Sequence, residues 1–200
     1  RRLVAENIEE NPKHIDSYML LVAIDRNEEE YASALHVLNE VEKVNYKGSG
    51  IPESKILWWR ASVYNDLEEY GQAVAVMEEA LKKGRKQDKE NLSGMLEAMA
   101  QFYYNNEDYD ASDRIYRELL KMDDSALLPK VGIARNLNAR EQYDQALALL
   151  DECLRYDSDY AEIYRFRMQA YEGKKEFKKM IDEMITLYEK SENVNHLSEK

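Results

Sequence analysis

Residues 96–120 read LEAMAQFYYNNEDYDASDRIYRELL. Leu96, Met99, Ala100 and Tyr103 follow one another at steps of three, one and three, which traces one face of an α-helix. The polar run from Asn105 to Asp108 interrupts that face. From Tyr109 a second stripe runs through Ser112, Tyr116 and Leu119 at the same helical spacing. The stretch therefore predicts a helix, a short bend and a second helix.

The pattern recurs along the chain. An aromatic stands at Tyr31, Tyr70, Tyr109, Tyr143 and Phe177, at steps of 39, 39, 34 and 34. Three residues after each come Ala34, Ala73, Ser112, Ala146 and Met180, mostly small. Leu38, Met77, Tyr116, Leu150 and Met184 follow four further on, then Val41, Ala80, Leu119, Cys153 and Leu187. Upstream of each bend lies another amphipathic stretch, such as 57–64 or 131–137. Ala61, Ala100 and Ala134 in the first helices are expected to face Ala73, Ser112 and Ala146 in the second, because helices approach closely only where side chains are small.

These residues give the unit a family likeness. With a first helix of the type W-x2-L-G-x2-Y and a second of the type A-x3-F, it resembles the tetratricopeptide repeat (TPR). Leu57, Ala61, Tyr64, Ala73, Met77 and Ala80 fit it well, as do the residues quoted above, and Pro12 stands at the closing-proline position. The resemblance implies an all-α, right-handed α-solenoid of about five helix-turn-helix units plus a leading half-repeat. The expected organisation is a single array over 1–200: a half-repeat at 1–14, then repeats at 15–48, 54–87, 93–126, 127–160 and 161–194. Leu3, Val4 and Ile8 are the expected buried stripe of the half-repeat. The chain opens on Arg1 with no leader-like run, and is expected to be a piece of a longer protein.

Several positions depart from the family pattern. Arg60 and Arg167 occupy the leucine slot, Lys130 the tryptophan slot and Asp25 the tyrosine slot. Met168 and Met180 fill both small slots of the last unit, which should be the loosest. Asp159 with Glu162 reads as a capping pair for that unit, and Pro52 and Pro129 sit at helix entries. Insertions at 49–53 and 88–92 lie within the polar stretches 47–53 and 82–92, expected as surface loops.

Composition bounds the function. The 200 residues carry 40 acidic and 28 basic side chains, a net charge of −12 that repels phosphate backbones and anionic lipid, so no nucleic-acid partner is expected. Mean hydropathy is −0.73, and the longest apolar or aromatic run, from Tyr18 to Ile24, falls far short of the roughly 20 residues a membrane span requires. One cysteine forbids an internal disulfide. Nothing in the sequence fixes a cellular compartment.

Catalytic constellations are missing. His14, His36 and His196 lack the spacing of a metal site, and Cys153 falls on a buried stripe. No glycine-rich phosphate loop occurs, so no cofactor and no metal are expected, and the chain is not expected to be an enzyme.

What remains is a surface. The resemblance implies a concave groove lined by the first helices, taking an unidentified peptide or partner protein. Carried over slot by slot, its positions are Met19, Ala23, Arg26 and Asn27, then Trp58, Ser62, Asn65 and Asp66. They continue with Glu97, Gln101, Tyr104 and Asn105, then Val131, Arg135, Asn138 and Ala139, and end with Arg165, Gln169, Glu172 and Gly173.

Trp58, Tyr104, Met19 and Val131 are candidate anchors, weighed evenly against simple packing on neighbouring helices. Arg135 and Arg165 are candidates for a shared carboxylate, with local ion pairs to Glu162 or Glu172 the blander reading. Asn27, Asn65, Asn105 and Asn138 could bond a peptide backbone, although left-handed helix capping is the stronger expectation. The paired Lys and Asn of family members that clamp chaperone tails are absent.

Ile181, Ile185 and Tyr188 on the final helix form an expected oligomer edge, through which the chain would self-associate. The leading expectation is a non-catalytic protein–protein interaction scaffold. The alternative is a helical docking or regulatory region of a longer enzyme or envelope protein whose activity lies outside this chain.

Overall fold

The structure, a computed structural model, describes residues 1–44 and 50–198. Among the described residues it has eleven α-helices and no strand, and its contacts divide it into two compact units, Arg1–Asp108 and Tyr109–Lys200. The first unit holds α1 (Arg2–Glu10), α2 (Ile15–Asn27), α3 (Tyr31–Lys43), α4 (Glu53–Asp66), α5 (Tyr70–Gln87) and α6 (Leu92–Asn105). The second holds α7 (Tyr109–Met122), α8 (Leu127–Ala139), α9 (Tyr143–Tyr156), α10 (Ala161–Gly173) and α11 (Phe177–Ser198). Every second helix begins on the recurring aromatic.

One bend is used five times. Glu29, Glu68, Glu107, Glu141 and Lys175 all sit at φ 60. The amide one residue later reaches back to a carbonyl of the preceding helix: Glu30 to Asp25 at 2.7 Å, Glu69 to Tyr64 at 2.9 Å, Asp108 to Tyr103 at 2.9 Å, Gln142 to Leu137 at 2.8 Å and Glu176 to Tyr171 at 2.8 Å. This six-to-one bond over a left-handed residue closes a helix and satisfies its orphan carbonyls. Asn27, Asn65, Asn105 and Asn138 are thus not the left-handed caps. They lie in the last helical turn, two or three residues ahead of the residue that takes that role.

The first unit is centred on Ile15, Tyr18, Val22, Leu38, Val41 and Ile56, with Ile8 of α1 packed against them. Leu3 does not join this stripe: it is 76% exposed, and α1 turns Val4, Ala5 and Ile8 inward instead. In the second unit Val131, Ala134, Leu150, Cys153, Ile163 and Phe166 form the core. Cys153 is fully buried, and burial pushes its thiol up, away from the reactive thiolate. The six small residues expected at the helix crossings, from Ala61 and Ala73 to Ala134 and Ala146, are completely buried. Gly132 shows how tight such seams are, since a Cβ there would lie 2.3 Å from the Tyr116 ring.

The charged residues at apolar slots are each paired. Arg60 donates to Asn39 at 2.8 Å and Glu42 at 2.7 Å, tying α4 to α3. Arg167 does the same between helices of the second unit, donating to Glu183 of α11 at 2.7 Å and to Asp151 of α9. Lys130 lies 3.5 Å from Glu152 and 4.8 Å from the Tyr156 ring centre. Fully buried Asp25 has Arg1 at 3.2 Å.

Two local readings change. The basic stretch from Lys82 to Gln87 is the last part of α5 rather than a loop, as expected of strong helix formers such as Lys, Arg and Gln. Asp159 caps nothing: Tyr160 precedes α10 without a side-chain cap, and Asp159 instead accepts from Lys190 of α11 at 2.8 Å. Of the 49–53 insertion, Ser49 lies outside the described residues and Glu53 begins α4. None of α11's described side chains is buried, while α10 beside it buries Ile163, Tyr164, Phe166 and Ala170.

Each acidic bend residue combines a left-handed backbone with a carboxylate near the negative end of a helix, and both disfavour it relative to glycine. The substitutions Glu68→Gly, Glu107→Gly and Glu141→Gly should each stabilise by about 1 kcal/mol. Thermal melts of the triple variant should shift upward, and an unchanged melt would show that the bends carry no strain.

Candidate functional site

In the first unit, α2, α4 and α6 are joined through residues at expected groove positions. Arg26 Nε donates to Asp66 Oδ2 at 2.5 Å, joining α2 to α4. Asn105 Nδ2 donates to Asn65 Oδ1 at 2.7 Å, joining α6 to α4, and Gln101 Nε2 donates to Asn105 Oδ1 at 2.7 Å. The amides that could have gripped a peptide in ladder fashion thus brace neighbouring first helices. Both rungs link residues forty apart in sequence, a register set by the repeat.

Beside these residues is a pocket of about 280 Å³ lined by Arg26, Lys55, Trp58, Trp59 and Ser62. Trp58 lies against Gly94 of α6, where an added Cβ would meet its ring at 3.1 Å, yet the indole stays half-buried and borders the pocket. It packs and presents a surface at once. Trp59 joins the core from the other side, with the Arg26 guanidinium 5.8 Å from its ring centre. Ser62 turns its hydroxyl to the Trp58 carbonyl at 3.0 Å. Lys55 has no acidic partner among the described residues, which leaves an ammonium beside two indoles.

Not every expected position reaches the surface. Met19 is 7% exposed and Val131 3%, so both are core residues and neither is an accessible anchor. Asn27 is exposed and Tyr104 half-buried.

In the second unit Asn138 is buried and donates to the Phe166 carbonyl at 2.8 Å and to Gln169 at 3.4 Å, bracing α8 on α10. Arg135 donates to the Tyr116 hydroxyl at 3.3 Å. Arg165 pairs with Glu162 and stacks 5.1 Å from the Phe166 ring centre. The two guanidiniums are committed to different neighbours. The repeat register does not single out Lys55 or Trp59, although two adjacent tryptophans on one helix point about 100° apart and cannot share one core face.

The outer face of α11 is apolar and open. Ile181, Met184, Ile185 and Tyr188 are 44%, 51%, 48% and 60% exposed. In α9 the residues 34 earlier than Met184 and Tyr188, namely Leu150 and Leu154, pack with Ile163 and Phe166 of α10. No group of His, Cys, Asp and Glu that could hold a metal occurs among the described residues, and none of their helices is long and apolar enough to cross a membrane.

Known proteins resemble this arrangement. The family described as ChAPs, the Chs5p-Arf1p-binding proteins, matches residues 2–197. No curated protein matches in sequence. Among solved structures, YrrB, a TPR protein with an unusual peptide-binding site, superposes with a TM-score of 0.60 at 16% identity, covering 98% of each chain. A tetratricopeptide repeat protein from Parabacteroides merdae gives 0.73 at 16% identity, over 94% of this chain and 70% of its own. MamA from Desulfovibrio magneticus gives 0.66 at 11% identity, over 90% and 97%. At these identities the likeness establishes the fold, that of a tetratricopeptide-type helical repeat.

Glu97 of α6, at an expected groove position, is partly buried, and that burial raises its carboxyl above the ordinary range. Its proton is held more tightly in the folded chain than in the unfolded one. The contribution to stability is therefore present below the ordinary carboxylate pKa and is lost as pH rises through the raised value. Glu97→Gln should melt higher than the parent at neutral pH and equal to it below about pH 4. Equal melting at both would show that this carboxylate is not desolvated.

Proposed function

This chain belongs to the ChAPs, the Chs5p-Arf1p-binding proteins, and we propose that it is a non-catalytic scaffold holding a segment of a partner protein against the first helices of its Arg1–Asp108 unit. The observation that carries this reading is the pocket of Arg26, Lys55, Trp58, Trp59 and Ser62. Half-exposed indoles offer large contact area at little conformational cost, and they dominate binding energy where they occur at interfaces. The Lys55 ammonium and the Arg26 guanidinium beside them favour a partner segment that pairs an apolar side chain with a carboxylate. Gln101, Tyr104 and Asn105 extend the same face along α6. The family description supports Chs5p and Arf1p counterparts as the partners to test, and the peptide site reported for YrrB supports a groove in a fold of this kind.

The Trp58→Ala, Tyr104→Ala double variant should lower capture by purified Chs5p or Arf1p counterparts by about tenfold or more. Undiminished capture, with the fold intact by circular dichroism, removes this face as the site.

A second surface is supported by the register of α11. Phe177, Ile181, Met184 and Tyr188 follow one another at steps of four, three and four, a pattern symmetric about its centre. An antiparallel second copy of α11 would set Phe177 against Tyr188 and Ile181 against Met184, a two-fold arrangement of the commonest oligomeric type. We infer that the chain self-associates through this face. Light scattering should give a mass that rises with concentration for the parent and stays monomeric for Ile181→Glu. A parent that is monomeric at high concentration overturns the inference.

A further inference from the structure

In the Tyr109–Lys200 unit, Arg114 and Arg117 stand three residues apart on α7, both exposed. Each has a carboxylate four residues before it, Asp110 and Asp113, at the spacing that normally pairs charges on a helix. Neither pair forms. Arg140, from the bend after α8, takes both carboxylates, Asp110 at 2.5 Å and Asp113 through its other terminal nitrogen. Asp113 also accepts from Asn136 at 2.7 Å. Among the described residues, Arg114 and Arg117 are left without an acidic partner.

The two bare guanidiniums border a pocket of about 390 Å³ that is also lined by Asp110 and Asp113, both held by Arg140, and by Leu137, Gln142 and Gln145. The repeat does not demand cations here. The equivalent residues are Ala148 and Asp151 in α9, Ala75 and Glu78 in α5, and His36 and Asn39 in α3.

We propose that this pocket binds a phosphomonoester carried on a phosphorylated side chain of a protein partner. A carboxylate is satisfied by one guanidinium fork, whereas a phosphomonoester offers three terminal oxygens and up to two negative charges, enough for two forks and a side-chain amide. The lining is polar apart from Leu137, so the ligand enters as a charged group and not as an apolar side chain. The net charge of −12 and the 80% exposed Asp110 at the rim oppose a sheet of anionic headgroups while leaving room for a single phosphate. The site is separate from the Trp58 pocket, and either can fail without the other.

The test is calorimetric titration of the whole chain with the peptide Gly-Gly-phosphoserine-Gly-Gly, beside its unphosphorylated parent. Saturable binding of the phosphopeptide alone, weakened about tenfold or more by Arg114→Gln with Arg117→Gln and not by Arg155→Gln, is expected. Both substituted arginines are exposed and unpaired, so the double variant should melt like the parent. Equal binding by the double variant, or no saturable binding, overturns the proposal. So does arginine-dependent capture on vesicles containing a phosphoinositide without phosphopeptide binding, which would assign the site to a membrane.

Discussion

Every helix pair turns on one residue held at φ 60 and on the amide after it, which bonds a carbonyl five residues back. None of the five residues is a glycine, so the geometry is imposed by the docking of the second helix and not by a permissive backbone. That helix starts two residues later, on an aromatic, and in the α4–α5 and α8–α9 pairs its small slot three residues beyond packs against a first helix that also carries a buried alanine. If the bend changed its angle, Ala61 would no longer cross Ala73, nor Ala134 cross Ala146, and the seams those residues close would open. A repeat tolerates wide sequence variation elsewhere because this turn keeps the register.

With register fixed, the slots that break the family pattern become explicable. Arg60, Arg167 and Lys130 are only 15%, 11% and 14% exposed, so each lays its aliphatic stem along the seam where a leucine or tryptophan would lie and sends its head to a carboxylate on a neighbouring second helix. Such pairs need not exceed a well-packed hydrophobe in stability. They do fix which helix faces which, since a one-residue slip would strand a charge. Asp25 shows the same economy in reverse: a fully buried carboxylate at the tyrosine slot, met by the guanidinium of Arg1.

The repeat is legible in the sequence because a buried stripe at steps of three and four has one physical meaning, and five of them in register leave no competing fold. Side-chain fates are less legible. Met19 and Val131 occupy groove slots by register but are core by burial, because a slot number does not say how far a neighbouring helix overhangs it. Asn65, Asn105 and Asn138 invite either a ligand or a cap and instead bond across repeats, which depends on the distance between first helices and not on any local pattern. Leu3 departs from its expected stripe because a helix at the edge of a stack, covered on one side only, can rotate that stripe by a residue with no change in composition. Trp59 and Lys55 belong to a pocket assembled from α2 and α4 together, and no single stretch of sequence contains it.

Charge follows the same logic. Carboxylates crowd the bends, Glu28 at a helix C-terminus whose dipole disfavours it and Asp110 and Asp144 in first turns whose dipoles favour them, and all three are met by cations from other elements: Glu28 by Arg1, Asp144 by Lys174, Asp110 by Arg140. At Asp110 and Asp113 pairing is decided by which element the turn brings close, over separations of about thirty residues, and it outcompetes the i,i+4 partners that sequence alone would favour, which contribute only about 0.2–0.5 kcal/mol. On an acidic chain this competition produces isolated positive patches, because each carboxylate drawn to a distant arginine is withheld from a near one. Across more than about 8 Å of physiological salt the remaining carboxylates are largely screened. A net charge of −12 therefore excludes polyanions that must lie along the whole surface, yet it does not determine the potential inside a pocket whose own acids are already taken.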